Sequence, residues 1–147
     1  MRFTRFTDYA LRVLLYVGQR PDEWVTIRQI SDAYGISRNH LMKVVSFLGS
    51  KGYLKSQRGP GGGVQLQPLP ADVLLAEVIV ITEGSMNLLE APGHLPANLK
   101  HAHELLDEVL DNATRAFLDS LNHHSLADLL NRPSAHGQSH GVASGLV

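Results

Sequence analysis

Hydrophobic residues recur along this chain mostly at the spacing of helices. They cover a wide face from Phe3 to Gly18, which predicts a helix that is largely buried by its neighbours. A second apolar helix is predicted over 71–82, followed over 87–96 by a loop that holds two prolines and a glycine. The longest helix is predicted over 99–121, at ~35 Å for 1.5 Å per residue. Its apolar seam is continuous and consists of Leu99, Ala102, Leu105, Leu106, Val109, Leu110, Ala113, Phe117 and Leu121.

Two shorter helices precede these and are joined by a tight turn. Thr26-Ile27-Arg28-Gln29 has the form of a capping box, and the helix that it begins would end at Gly35. Ser37 is a suitable N-cap for a helix over 38–50. The inward residues would be Ile27, Ile30 and Ala33 in the first helix, and Leu41, Val44, Val45 and Leu48 in the second. This pattern predicts a helix-turn-helix, whose second helix lies in the DNA major groove.

Alternating apolar and polar residues then predict two short strands, 53–57 and 64–67, on either side of a glycine-rich tip. A hairpin in this place is a wing, and the glycines of Arg58-Gly59-Pro60-Gly61-Gly62-Gly63 would let its tip approach a phosphate backbone or a minor groove. The rival interpretation, a nucleotide phosphate loop, fails because the run lacks the Gly-Lys-Ser/Thr ending and opens no helix. Ser125 is a suitable cap for a last short helix, and the Pro-, Ser-, His- and Gly-rich segment after it predicts a disordered tail.

Charge divides the chain into two unlike parts. Residues 1–68 hold ten Lys/Arg and four Asp/Glu, a charge of +6, whereas residues 69–147 hold three and ten, a charge of −7. The whole chain therefore carries −1 over 147 residues. A basic first half favours an anionic partner for the predicted helix-turn-helix, although a chance asymmetry of a solvated surface would give the same count.

The candidate DNA contacts come from three places. Asn pairs with adenine and Arg with guanine, whereas Lys and Ser more often hold phosphates. The candidates are Ser37, Arg38, Asn39, His40 and Lys43 on the recognition helix, Arg28 at the start of the preceding helix, and Arg58, Gly61 and Gly62 in the wing. For each, a plain solvated surface residue is the alternative.

Other function classes find little support. No nucleophile–base–acid set is visible, so no enzyme is expected. No apolar stretch reaches the ~18–20 residues that span a bilayer, and the first eight residues do not form a secretory signal, so a cytoplasmic protein without membrane contact is expected. Histidines are frequent beyond residue 90, but His101 and His103 diverge by about 200° on a helix, so a metal site with His94 is not predicted.

Six segments together resemble the Rrf-two (Rrf2) family of bacterial winged-helix regulators. They match in order over nearly the whole chain up to about residue 130, and they are Phe6–Arg12, Ile36–Val44, Arg58–Gly63, Thr82-Glu83-Gly84, Leu89-Glu90 and Ser125–Leu129. The resemblance implies a mainly α fold with a winged helix-turn-helix and a long C-terminal dimerisation helix. It also implies a homodimer, often a repressor, bound to double-stranded DNA at a palindromic operator.

The resemblance further implies an iron–sulfur cluster in many members, held by three cysteines and, in some, by an aspartate of the partner's first helix. Asp8 stands at the aspartate position, while Ala91, Ala97 and the stretch with Ala102 and His103 stand at or near the cysteine positions. The chain has no cysteine at all, so no thiolate can bind a cluster or act as a nucleophile. Either Cys-to-Ala substitution or natural loss would produce this sequence, and a cluster-free protein is expected.

These inferences divide the chain into four parts. They are a DNA-binding domain over 1–70, a connecting helix and sensor loop over 71–98, a dimerisation helix region over 99–130 and a disordered tail over 131–147. The alternative hypothesis is a metal- or ligand-sensing interaction protein that uses the histidine-rich loop and whose DNA binding is vestigial.

Overall fold

A computed structural model describes residues 1–131, and within them the fold is mainly helical with one small antiparallel sheet. The elements are α1 (Arg5–Gly18), α2 (Ile27–Tyr34), α3 (Arg38–Ser50), β1 (Leu54–Gln57), β2 (Gly63–Leu66), α4 (Leu75–Glu83), α5 (Lys100–Asn122) and α6 (Leu126–Asn131). The predicted fold class is therefore confirmed, including the loop before the long helix. The predicted tail lies outside the described residues, except that Asn131 still belongs to α6.

α1 forms the centre of the hydrophobic core. Its side chains Ala10, Val13, Leu14 and Val17 are at most 1% exposed, because α3, α4 and α6 all pack around it. Each fully buried Val or Leu stabilises the fold by roughly 1.5–3 kcal/mol. The apolar stripe of α3 closes one side of this core, and α6 closes another through Leu126.

The hairpin is held to the rest of the domain by a third chain segment. β1 and β2 pair in antiparallel register, with Leu54 opposite Leu66. Val25, just before α2, exchanges both backbone hydrogen bonds with Val64 of β2, at 2.9 and 2.7 Å. β1 begins one residue later than predicted, since Tyr53 precedes it, and ends at Gln57 as predicted. β2 begins and ends one residue earlier than the predicted 64–67.

The predicted helix over 71–82 is wrong in its first third, residues 71–74. Pro70–Asp72 forms a 3₁₀ turn, the next two residues are extended, and α4 begins only at Leu75. The extended stretch pairs with the segment before α6: the Val73 carbonyl oxygen accepts from the Leu126 N–H at 2.8 Å, and the Leu75 N–H donates to the His124 carbonyl oxygen at 3.0 Å. The backbone N–H and C=O groups that would form hydrogen bonds within a helix thus find partners far along the chain instead.

Two smaller predictions also need correction. Ala33 was expected to face inward, but it is exposed, and Ile30 alone of α2 is fully buried. α2 is only two turns long and packs on one narrow side, so position 33 points to solvent. The first helix begins at Arg5 rather than Phe3, because the Thr4 hydroxyl caps it by accepting from the Thr7 N–H at 3.3 Å.

The end of α4 is hydrogen-bonded to the beginning of α1. The buried Thr7 hydroxyl donates to the Thr82 hydroxyl oxygen at 2.9 Å, and Thr82 donates onward to the Val78 carbonyl oxygen at 2.8 Å. Glu83 Oε1 accepts from the N–H of Thr4 at 2.8 Å and from its hydroxyl at 3.0 Å. Burial by itself raises the pKa of Glu83, but these threonine hydrogen bonds outweigh it and hold the pKa below its usual value.

Candidate DNA-binding surface

Hydrogen bonds from both helices fix the turn between α2 and α3. Gly35 ends α2 in the left-handed region at φ 66°, and its N–H donates to the Ser31 carbonyl oxygen at 2.8 Å. The Ser31 hydroxyl donates to the Ile36 carbonyl oxygen at 2.7 Å. Ser37 then caps α3, since its hydroxyl accepts from the His40 N–H at 3.3 Å. The start of α3 is thereby set relative to α2, as a helix-turn-helix requires.

α3 separates a buried apolar stripe from an exposed polar face. The stripe consists of Leu41, Val44 and Leu48, while Val45 is only partly buried. All the residues predicted to contact DNA here are exposed, namely Ser37, Arg38, Asn39, His40 and Lys43. Ser46, which the polar pattern of this helix also predicts to be exposed, and Met42 are exposed as well but were not among the candidate contacts. Met42 was left out because it carries no polar group. An exposed apolar side chain of this kind can contact the methyl group of thymine.

Aromatic contacts from α1 support α3 from behind. The ring of Phe6 meets that of Phe47 edge-on at 5.2 Å, and the Tyr9 ring lies 6.0 Å from the His40 imidazole. Aromatic pairs of this kind contribute about 0.5–1.5 kcal/mol beyond area burial. His40 therefore has a contact within the domain that sequence reasoning did not foresee, although its side chain remains exposed.

The tip of the hairpin has a shape that depends on glycine. Gly61 has φ 74°, and the Gly62 N–H donates to the Gly59 carbonyl oxygen at 3.0 Å. A Cβ at Gly62 would collide with the carbonyl oxygen of Gln57. Arg58 is exposed at this tip. The run joins two strands rather than opening a helix, which agrees with a wing and not with a nucleotide loop.

The hairpin lies directly beside α3. A cleft of about 360 Å³ separates them and is lined by Ser46 and Gly49 of α3 and by Lys55 and Ser56 of β1. Lys55 is exposed, with its Nζ 5.8 Å from the centre of the Trp24 ring. It was missed as a candidate, although strand alternation after buried Leu54 predicts an outward side chain at that position. The recognition helix and the wing thus lie side by side on the same face of the molecule, with the cleft between them.

Arg28 belongs to this half of the molecule but already has a partner. Its Nε lies 3.7 Å from Oδ2 of Asp32, one turn later in α2, and both side chains are well exposed. An exposed ion pair of this type contributes only about 0–1 kcal/mol. The pair would therefore yield readily to a phosphate, and Arg28 stays a predicted contact.

The positions that match the family cluster site hold no suitable ligand set. Asp8 is half-exposed and forms an ion pair with Arg12, from Oδ1 to Nε at 2.8 Å, and this bond to Asp8 raises the pKa of Arg12. Ala91 is exposed beside the α5 residues Asp107 and Asp111, and Ala97 lies in the 3₁₀ turn before α5. Alanine provides no donor atom, and the chain has no thiol. These residues do not fit an iron–sulfur cluster.

The histidines near the start of α5 are not assembled into a metal site either. His101 Nδ1 lies 3.8 Å from Oε2 of Glu104, a charged pair only when the imidazole is protonated, while Ala102 is exposed and His103 partly buried. Within residues 1–131, no three His, Asp or Glu side chains come close enough together to hold a metal ion. The same described residues contain no helix with the length and apolarity to cross a bilayer.

α5 presents a row of uncovered apolar side chains. Leu99, just before it, is 45% exposed, and within the helix Leu105 is 49%, Leu106 43% and Val109 62% exposed. No residue of the 23 in α5 is fully buried within the described chain. The predicted seam is thus present, and its first half has no covering partner among residues 1–131.

Known proteins resemble this chain over nearly its full length. A family model described as the iron-dependent transcriptional regulator Rrf2 matches residues 3–132. The HTH-type transcriptional regulator NsrR of Bacillus subtilis (strain 168) is 39% identical over 142 residues, covering 88% of this chain and 90% of that protein. These relatives are transcriptional regulators.

Solved structures agree on the fold. CymR, the global cysteine regulator of B. subtilis, superimposes with a TM-score of 0.68 at 23% identity, covering 88% of this chain and 96% of that one. IscR of T. potens superimposes with a TM-score of 0.71 at 20% identity, covering 96% and 94%. The predicted resemblance is confirmed: the chain belongs to the Rrf2 family of winged-helix transcriptional regulators.

Proposed function

We propose that this protein is a homodimeric regulator that binds a two-fold symmetric DNA operator and represses transcription without a cysteine-bound cluster. The observation that carries the proposal is the exposed polar face of α3 beside the glycine-dependent wing, on the half of the chain with a charge of +6. Such a surface has the charge that attracts a phosphate backbone and the side chains that distinguish base edges.

The roles follow from the chemistry of each side chain. Asn39 can pair with adenine through two hydrogen bonds, and Arg38 can do so with guanine. Ser37 and Lys43 suit phosphates on either side of the major groove. Arg58 at the wing tip suits the adjacent backbone or minor groove, which Gly61 and Gly62 allow the main chain to approach.

Dimerisation is supported by the uncovered seam of α5. Burying Leu105 and Val109 against a second copy would remove apolar surface that a lone protomer exposes. A two-fold dimer would place two recognition helices on half-sites about 10 base pairs apart, or a multiple of that spacing. The family resemblance implies repression, because its members are often repressors. A promoter–reporter assay with and without the protein shows whether transcription falls or rises.

DNA binding is tested by fluorescence anisotropy on a site selected from a random duplex library, measured over a range of salt concentrations. Asn39→Ala should cost about 1–3 kcal/mol and relax base preference at one position of each half-site. Lys43→Gln should weaken binding to all sequences. The slope of log K against log salt concentration should fall by about one for each lost phosphate contact, one contact in each protomer. Arg115→Gln, on exposed α5, is the matched control and should change neither quantity. Absence of sequence-dependent binding in the wild-type protein would refute the proposal.

The dimer is tested separately by sedimentation equilibrium. Leu105→Glu places a charge in the seam and should dissociate the protein, whereas Glu108→Gln, also exposed on α5, should leave the assembly unchanged. A wild-type protein that sediments as a monomer at tens of micromolar would contradict the dimer while leaving DNA contact by α3 untouched.

The proposed cluster-free state is based on the absence of cysteine thiolates from the chain. It is tested by anaerobic incubation of the protein with iron and sulfide. We expect no thiolate-to-iron charge-transfer absorbance after desalting, since the chain offers no thiolate. A stable visible chromophore would overturn this part of the proposal. Zinc titration by calorimetry tests the histidine-based alternative, for which the described residues show no assembled ligand set.

A further inference from the structure

Met42 is the one large apolar side chain on the exposed polar face of α3. It is 54% exposed and does not belong to the hydrophobic core of the described chain. Its exposed neighbours on this face are all polar, namely Arg38, Asn39, Lys43 and Ser46. A single exposed apolar residue is common on protein surfaces and needs no explanation by itself. What Met42 can contact therefore depends on where it lies.

Helical geometry places Met42 on the side of α3 that faces the wing. At about 100° per residue, Asn39 and Ser46 lie nearly opposite the buried stripe. Met42 lies about 50° to one side of them and Lys43 about 50° to the other. Ser46 and Val45, one turn after Met42, line the cleft between α3 and the hairpin, and residues three and four apart share a helix face. Met42 thus lies on the wing side, nearer the N-terminal end of α3, where a recognition helix contacts base edges.

We propose that Met42 is a specificity-determining residue and that it recognises the 5-methyl group of one thymine in each half-site. This inference rests on the proposed binding of DNA by α3. Thymine is the only base that presents a methyl group in the major groove, and apolar side chains contact it there. The thioether of methionine is flexible and polarizable, so it can adapt its shape to such a group. The contact would remove apolar surface of both partners from water.

A protein partner is a less suitable occupant of this position. The core of a protein–protein interface is apolar and poor in charged residues, whereas Met42 lies between the cations Arg38 and Lys43. Positive charge on both sides suits the phosphate backbones that border the major groove. The continuous row of uncovered apolar side chains in the described chain lies on α5 instead.

The first test removes only the methyl group from the DNA. In the selected operator, deoxyuridine replaces each thymine in turn, together with its symmetric counterpart in the other half-site. Binding of the full-length protein is measured by fluorescence anisotropy. At one position we expect binding to weaken about 15-fold, or about fourfold for each half-site, which is the factor for losing one buried methyl-sized group. No effect at any thymine would overturn the proposal.

Variants of Met42 then assign the effect to this side chain. Because Met42 is exposed, these substitutions should leave the fold intact, which circular dichroism checks. Met42→Ala should bind the thymine and deoxyuridine operators with nearly equal affinity, whereas Met42→Leu, which stays apolar, should keep the preference for thymine. Lys43→Gln is the control: it should weaken binding to both operators and leave their affinity ratio unchanged.

The outcomes separate this inference from the proposed function. A Met42→Ala protein that keeps the wild-type ratio of affinities for the two operators would refute the role of Met42, while sequence-dependent binding by α3 would stand. A wild-type protein that selects no operator from the duplex library would refute the proposed function, and this inference with it.

Discussion

Removing the charge of Glu83 should destabilise the protein in a pH-dependent way. Its Oε1 accepts two hydrogen bonds from Thr4, the residue that caps α1, so the carboxylate also lies near the positive end of the α1 dipole. Glu83→Gln keeps an acceptor oxygen and should lose about 0.5–1 kcal/mol of unfolding free energy at pH 7. Glu83→Ala loses the acceptor as well, and because water can replace it at exposed Thr4, about 1–2 kcal/mol is expected.

The sign of the pH dependence follows from the lowered pKa. Hydrogen bonds from the threonines, exceeding the opposing effect of burial, place the folded-state pKa of Glu83 below its ordinary value of 4.5. The carboxylate therefore contributes its full stabilisation above pH 4.5, and this contribution is lost as the pH falls through the lower folded-state pKa. The difference in unfolding free energy between wild type and Glu83→Gln should be largest at pH 7 and should shrink as the pH falls below 4.5 and through the folded-state pKa.

Urea denaturation monitored by circular dichroism measures this difference. One fixed protein concentration is used, because the apparent stability of the proposed dimer would depend on concentration. Glu23→Gln, an exposed glutamate in the turn before α2, is the control and should change stability by less than about 0.5 kcal/mol at pH 7 and at pH 3. The reasoning is refuted if Glu83→Gln matches this control at pH 7, or if its deficit is equally large at pH 3.

Two further substitutions test the wing and the α1–α4 junction. Gly62→Ala should distort the hairpin, because the added Cβ collides with the Gln57 carbonyl oxygen. Operator binding measured by anisotropy should then weaken at least 10-fold. Gly93→Ala is the control and should leave binding unchanged, since there is open space around Gly93. Thr7→Val should lower the unfolding free energy by about 1–2 kcal/mol in urea denaturation, because the Thr82 hydroxyl loses the donor that Thr7 provides. The double variant Thr7→Val/Thr82→Val should recover part of that loss. Effects of the two single substitutions that simply add in the double variant would contradict a direct hydrogen bond.

Local signals were sufficient to predict much of this structure. The Thr26–Gln29 capping box, with Oε1 of Gln29 accepting from the Thr26 N–H at 2.8 Å, begins α2 where the sequence predicts. Ser37 caps α3, and the spacing of its apolar residues identifies the exposed face. Each of these features depends on residues within one or two helical turns, so a single sequence contains the necessary information.

What sequence reasoning missed depends on distant partners. Val73 is extended because its carbonyl oxygen bonds to Leu126, and nothing near Val73 indicates that pairing. The contact of Tyr9 with His40 requires α1 to cross behind α3, which a helical pattern does not specify. Val25 likewise pairs with Val64 only once the chain has turned back. Tertiary pairing overrides local preference at such positions.

The contacts of α1 bear on how the proposed cluster-free regulator could respond to a signal. A ligand shifts a conformational equilibrium only as far as its affinity differs between the two states, so a signal must act on an element that reaches α3. α1 is such an element, because it is hydrogen-bonded to α4 through Thr7 and contacts α3 through Tyr9. The alanines at the family's cluster positions have no donor atom in their side chains and take no part in these contacts. A signal that altered the packing of α1 would therefore act on α3 directly, through the contact of Tyr9 with His40.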